Sequence, residues 1–486
     1  MKRAAAALLA SAGCNAWFGL DPTRELEPDA APTFATAQVV AQVATTDTTG
    51  APNPAGYAGI AGLAVSVGPP AGPLVAAAID TDGNVAVPAE LLAGPWRLVY
   101  QIGSGVPVEH QWQPTHPVIC VPRFGHLERA PVAAADYVRM APTNIGAYVA
   151  PRLLTSGVWT STRLPNPPGD GQGHVTFPFA NAQPLDGALG APSGGAGDWE
   201  MVVDFHAVSG GTEAYGYAKA PAALVAAGDP AVAPGFEPTP AQPQPTAFTD
   251  KLQSLSVMQL FTAGLGALYT SPSTDASHAA VGLVPSGDVP ALGLDGAFVV
   301  ELGSYDGADF PSTYKPVNPV EVGVPRAVYL RRTTRRTVHG VVLESAIERL
   351  DLGTLADYPR SAAAAIAVGI ASAVTLDGVD LATADGVALP ASTAPRTLAF
   401  TVVMGAADDA VATVYRVDPT GLVALRRYVT TGTTVAIDPA VLAAGSTYAI
   451  SIELRTGYPT ASVGDYRAVA YPLAASRIVA ATFTVQ

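Results

Sequence analysis

A period of two constrains this chain more than any other feature. Leu63, Val65 and Val67 alternate with small residues, and Ile366, Val368, Ile370, Ser372, Val374 and Leu376 take alternate places in an Ala-rich run. Side chains two apart share one face of an extended strand, so the pattern describes half-buried strands although Ala itself favours helices. Comparable runs at 398–403, 412–417, 422–428, 448–454 and 478–485 have the spacing of sandwich strands. The 48 Gly and 44 Pro among 486 residues fall largely between such runs, where turns need them. Hydrophobic residues make up 49% of the chain, enough for sizeable cores, so gross disorder is excluded. The expected fold class is mainly β.

The first 14 residues have a different grammar. They read MKRAAAALLASAGC: Lys2 and Arg3, then an apolar stretch over 4–12 interrupted only by Ser11, then Gly13 and Cys14. The stretch is too short to span a bilayer, which takes about 20 apolar residues, and has the form of a signal peptide. Its end resembles a bacterial lipobox. The Ala12-Gly13-Cys14 core matches, whereas Ser11 stands where that family usually has an aliphatic residue. The resemblance implies that Cys14 becomes the first mature residue and carries lipid. Two or more acyl chains anchor stably where one binds only marginally. Asn15 stands where Asp often marks inner-membrane retention, which favours the outer membrane of a Gram-negative envelope. Of 26 basic residues 22 are Arg, and Ala dominates the apolar set, both in keeping with a high-GC bacterial genome. The alternative is an ordinary secretory signal with an incidental cysteine.

Beyond the signal peptide (1–13), residues 14–35 are acidic, Pro-bearing and aperiodic, as in a lipidated tether. A turn signal, Asp80-Thr81-Asp82-Gly83-Asn84, then lies between two apolar runs, with Gly83 suited to positive φ. Leu91-Leu92-Ala93-Gly94-Pro95-Trp96-Arg97-Leu98 follows. In that order the two segments resemble the carboxypeptidase regulatory-like, transthyretin-type β-sandwich, and the resemblance covers residues 36–135. A second β-rich region is expected over 140–320, with a Pro-rich loop at 229–249 that holds six prolines between Pro230 and Pro245. Residues 251–269 are the best helix candidate, weakened by Gly264 and Gly266. A C-terminal β-sandwich is expected over 322–486. The whole reads as two or three β-sandwich domains in tandem behind a signal peptide and tether.

The usual catalytic signatures are missing: the sequence has no G-x-S-x-G, no H-E-x-x-H and no phosphate-binding P-loop. Gly169-Asp170-Gly171-Gln172-Gly173 stops short of a dinucleotide loop. His110, His116, Cys120 and His126 lie within 17 residues and carry the right donors for zinc or copper. Their spacing matches no metal motif. The competing assignment, which we favour, makes Cys120 a buried small hydrophobe and leaves the histidines on loops. Asp80, Asp82 and Asn84 suit a turn better than a calcium loop, because a closing Glu is replaced by Leu91. Arg331-Arg332-Thr333-Thr334-Arg335-Arg336 reads as a solvated strand edge, with docking of an anionic polysaccharide or headgroup as the lesser alternative. Along 198–206, alternation places Asp198, Glu200, Asp204 and His206 opposite Trp199, Met201, Val203 and Phe205, as on a half-solvated strand.

A net charge of −14 leaves no cationic footprint for nucleic acid, and two cysteines build no disulfide framework. With no catalytic residue, metal or cofactor assigned, the leading expectation is a non-enzymatic envelope lipoprotein, held to the membrane by covalent lipid through Cys14. Envelope proteins or polysaccharide are its expected partners, and no ligand-binding residue is identified. The alternatives are a carbohydrate-binding or adhesive lipoprotein, and a hydrolase whose acidic pair meets only in the fold.

Overall fold

The computed structural model describes residues 37–44, 62–112 apart from 71, 117–124, individual strands between 137 and 352, and 368–486 apart from 382–384, 404, 467–469 and 471–472. Cys14, the 1–13 and 14–35 segments, His116, His126 and the 251–269 helix candidate lie outside them. So does the 229–249 loop, except for Gly235–Phe236 and Thr239–Pro240. Among the described residues the regular elements are strands and short 3₁₀ turns, so the mainly β expectation holds.

Seven strands come first: β1 (Ala37–Ala44), β2 (Leu63–Gly68), β3 (Val75–Ala76), β4 (Asn84–Val85), β5 (Trp96–Ile102), β6 (Val108–Trp112) and β7 (Val118–Phe124). The next group is β8 (Tyr137–Pro142), β9 (Arg152–Thr155), β10 (Thr160–Arg163), β11 (Val175–Pro178), β12 (Trp199–Val208) and β13 (Gly211–Pro221). It continues with β14 (Leu224–Val225), β15 (Gly235–Phe236), β16 (Thr239–Pro240), β17 (Thr274–Leu283) and β18 (Val300–Asp306). The C-terminal set opens with β19 (Arg326–Val338), β20 (Val341–Leu352), β21 (Ile370–Leu376), β22 (Val379–Asp380), β23 (Val387–Leu389) and β24 (Arg396–Val403). It closes with β25 (Asp409–Asp418), β26 (Gly421–Thr430), β27 (Thr434–Ile437), β28 (Thr447–Thr456), β29 (Leu473–Val479) and β30 (Phe483–Val485).

One long ladder runs β2–β5–β6–β26–β25–β28–β29–β20–β19–β17. Two smaller sheets cover parts of it: β4–β1–β7, with β1 and β7 parallel, and β22–β21–β24–β27. Each covering sheet closes a core. Under the second lie Ile370, Val374, Leu376, Leu398 and Phe400, facing Ala412, Val414, Ile450, Ile452 and Ile478 of the ladder. Under the first lie Ala37, Val39, Val85 and Ile119, facing Val65, Val67, Trp96 and Leu98, together with Val411 and Val429. β25 and β26 therefore serve both cores, one from each face, and the described residues of Thr36–Gln486 belong to one unit. Burial on both faces explains why 410–414 of β25 is continuously buried and non-alternating.

Local chemistry accounts for the turns. Asp80 Oδ1 accepts the backbone N–H of Asp82 (2.9 Å) and Asn84 (2.8 Å), Oδ2 accepts Asn84 Nδ2 (2.7 Å), and Gly83 sits at φ 80°. Asp377 and Gly378 both take positive φ (53° and 79°) in the two-residue loop between β21 and β22, the geometry of a type I′ hairpin.

The Arg331–Arg336 run is not a sheet edge. β19 lies between β17 and β20, and Arg331, Arg335 and Arg336 meet acids on neighbouring segments. Arg331 pairs with Glu344 and, at 3.3 Å, with Glu348. Arg335 also pairs with Glu344, and Arg336 with Asp385 at 2.6 Å. Burial pushes the Glu344 carboxyl up, but the Arg335 hydrogen bond and the surrounding guanidinium charges bring it below its ordinary value.

Candidate functional site

Strand β6 joins segments that are more than 300 residues apart in sequence. It runs parallel to β26, pairing Val108 with Arg427, Glu109 with Tyr428 and His110 with Val429. Antiparallel to β5, it sets Arg97 opposite Gln111 and Val99 opposite Glu109. Alternation then sends Arg97, Glu109 and Gln111 to one face, and Leu98 and His110 to the other.

On the first face a carboxylate has been taken wholly out of water. The Glu109 side chain is 0% exposed; Oε1 accepts from Arg97 Nη1 at 3.1 Å and from Gln111 Nε2 at 2.8 Å, while Oε2 lies 3.3 Å from Arg426 Nη1. Asp438 Oδ2 stands 3.5 Å from Arg426 Nη1 and 3.7 Å from Arg97 Nη2, which also donates to the Gly72 carbonyl at 2.8 Å. Two guanidiniums thus face two carboxylates, the balance a buried charge requires. Gln111 ties the cluster to β27: Nε2 donates to the Ala436 carbonyl (2.7 Å), and Oε1 accepts the Ala436 N–H (2.9 Å). One amide thereby fills the place of a strand neighbour. The Tyr428 hydroxyl accepts the Asp438 N–H at 3.3 Å, and burial, with the Glu109 charge, raises its pKa.

On the opposite face His110 is packed among aromatics. Tyr100 stacks on it at 5.9 Å, and Tyr466 meets it edge-on at 5.6 Å. Tyr458 lies 6.3 Å from Tyr466, with the Arg455 guanidinium 4.8 Å above its ring. Arg455 forms a two-pronged pair with Asp409, through Nε–Oδ1 at 2.8 Å and through Nη2–Oδ2. Asp408 accepts the N–H groups of Gly457 (2.8 Å) and Tyr458 (2.9 Å). Burial, then the Arg455 charge, pushes the His110 pKa down to about 3. Burial pushes Tyr458 up to about 12. Burial and the Asp409 charge raise Tyr466 too. These rings pack; a base this deeply covered cannot reach a proton on a dissolved substrate.

Beside the buried cluster opens a groove of about 420 Å³, lined by Pro107, Leu425, Arg416, Arg426, Asp438 and Val441 among others. Asp438 shapes one wall: its side chain accepts the Ala440 N–H at 2.9 Å and so caps the 3₁₀ turn Pro439–Val441.

Of the His/Cys group, His110 lies inside β6 instead of on a loop, 4% exposed. Cys120 belongs to β7 and pairs with Val40 of β1, so the two stand in different sheets. Among the described residues no three His, Cys, Asp or Glu side chains converge as metal ligands. The Asp80 carboxylate is engaged within its own turn, as turn chemistry requires. Sequence reasoning missed Arg97, Glu109, Gln111, Arg426 and Asp438. A signal was present for Arg97, a charge set singly in the apolar run Trp96–Tyr100.

No protein-family description matches the chain, and no curated protein resembles it in sequence.

Proposed function

We propose that the protein is a non-enzymatic lipoprotein of a Gram-negative envelope, anchored through lipidated Cys14 and serving a structural or interaction role. The observation that carries this reading is the run from Lys2-Arg3 through the apolar 4–12 stretch into Ala12-Gly13-Cys14. With Lys2 and Arg3 removed, 24 basic residues would stand against 40 acidic ones. So acidic a surface gains nothing from anionic lipid, so the hold on the membrane is covalent. Asn15 after Cys14 supports the outer membrane. Its carboxypeptidase regulatory-like sandwich over 36–135, a reading supported by the Asp80–Asn84 turn lying ahead of the Trp96–Ile102 strand, shares its core with Val411 and Val429.

Palmitate labelling with membrane fractionation tests the anchor. Wild type should take up label and sediment with membranes, and Cys14→Ser should do neither. An unlabelled, soluble wild type would sink the proposal.

A further inference from the structure

We propose that the groove beside the Glu109 cluster binds a small carboxylate that carries a short apolar body. Its volume of about 420 Å³ is that of a small-molecule site. Strand register places two guanidiniums in it. Arg426 pairs with Val414, and Arg416, two residues beyond Val414, pairs with Val423, so both arginines project from one face. Tyr448 of β28 stands directly opposite Arg416. Between the arginines the ladder skips: Tyr415 pairs with Ala424, and Leu425 is left over. Regular alternation would turn Leu425 away from Arg426. The bulge lets both line the same groove, a device common beside binding sites.

The two arginines are held in different ways. Arg426 is fixed from behind by Glu109 at 3.3 Å and Asp438 at 3.5 Å, so its position is set before a ligand arrives. Arg416 pairs with Asp418 through Nε–Oδ1 at 2.8 Å and Nη2–Oδ2 at 2.9 Å, with its side chain 44% exposed. Exposed pairs of this kind contribute little, so a ligand carboxylate can displace Asp418 cheaply. A planar carboxylate matches a guanidinium fork, while Leu425, Val441 and Pro107 offer the apolar wall. The Asp438 carboxylate, also in the lining, is already engaged by Ala440 N–H and by Arg426 and Arg97. It makes no demand for a ligand cation.

Titrating the full chain with hexanoate, using hexanol, hexylamine and inorganic phosphate as controls, tests the proposal by calorimetry and NMR. Hexanoate should bind saturably at one site, at least about tenfold more tightly than any control. Arg416→Gln, at an exposed position, should weaken hexanoate about tenfold while leaving the melting temperature in place. Val441→Asp should weaken it as well, through the apolar wall. The idea is overturned by absence of saturable binding up to about 10 mM, by hexanol binding as well as hexanoate, or by an unchanged affinity in Arg416→Gln. Phosphate binding as tightly as hexanoate would overturn the apolar half of the claim.

Discussion

Two cores back onto opposite faces of the same strand pair, β25–β26, and are filled differently. The core beneath β21 and β24 is mainly aliphatic, with Leu398, Ile450, Ile452 and Val414 beside Phe400, Tyr428, Tyr448 and Phe483. The core beneath β1 and β7 mixes Val65, Val67 and Leu98 with Trp96, Tyr458 and Tyr466, and His110 and the Asp409–Arg455 pair border it. An aliphatic core stabilises roughly in proportion to the area it buries, and tolerates exchange of one hydrophobe for another. An ionic cluster adds little when complete and costs heavily when one member is lost. What it supplies is register. The Glu109 cluster is satisfied in one alignment of β6 on β26, whereas hydrophobes alone would accept several.

The largest effect is expected at Glu109, whose cluster lies on the β27 side of the ladder, at the border of the mainly aliphatic core. Glu109→Gln leaves two buried guanidiniums, Arg97 and Arg426, with Asp438 as their one carboxylate, and should cost about 3–5 kcal/mol in urea unfolding. In the aliphatic core, Leu398→Ala should cost about 3 kcal/mol by loss of transfer energy and cavity formation. Replacing Asp409 by Leu and Arg455 by Met together should cost far less than either replacement alone, because the desolvation penalty goes with the pair. A single replacement as mild as the double would erase the distinction between the cores.

The aromatic side of the contrast has a pH signature. His110 has a folded-state pKa of about 3, against 6.5 for the free side chain. The unfolded chain therefore binds the proton first as pH falls, and stability is complete above pH 6.5 and lost from there down towards 3. His110 alone should contribute a slope of roughly 1.4 kcal/mol per pH unit across that window. His110→Phe should flatten denaturation curves measured between about pH 6 and 4 by that amount. The smallest effect is expected at the exposed Arg335, where Arg335→Gln should change stability by about 0.5 kcal/mol or less.

Strand identity was legible wherever a local period decided it. Ile370, Val374 and Leu376 lie in one core, and between Ser372 and Thr375 β21 carries one residue more than β24, a bulge that puts Ala373 at φ 47° and interrupts the strict alternation. The Asp80–Asn84 turn was legible too, because its capping is local. Pairing between distant segments was not. A run such as Arg331–Arg336 reads the same on an open edge as between β17 and β20, since the acids that neutralise it arrive from another strand. For the same reason Glu109 looked like an ordinary polar residue: the groups that make it a buried hub, Arg426 and Asp438, come from β26 and the turn after β27. The bulge at Leu425 depends on how β25 meets β26, which period alone does not specify.

The central claim is that the two cores share one wall and so unfold together. Hydrogen exchange in increasing urea tests it most directly, by following the amides of β5 in one core and β24 in the other. The account predicts that both sets lose protection at the same denaturant concentration, and that Glu109→Gln lowers both midpoints together. Loss of β5 protection at clearly lower urea, with β24 still protected, would contradict it.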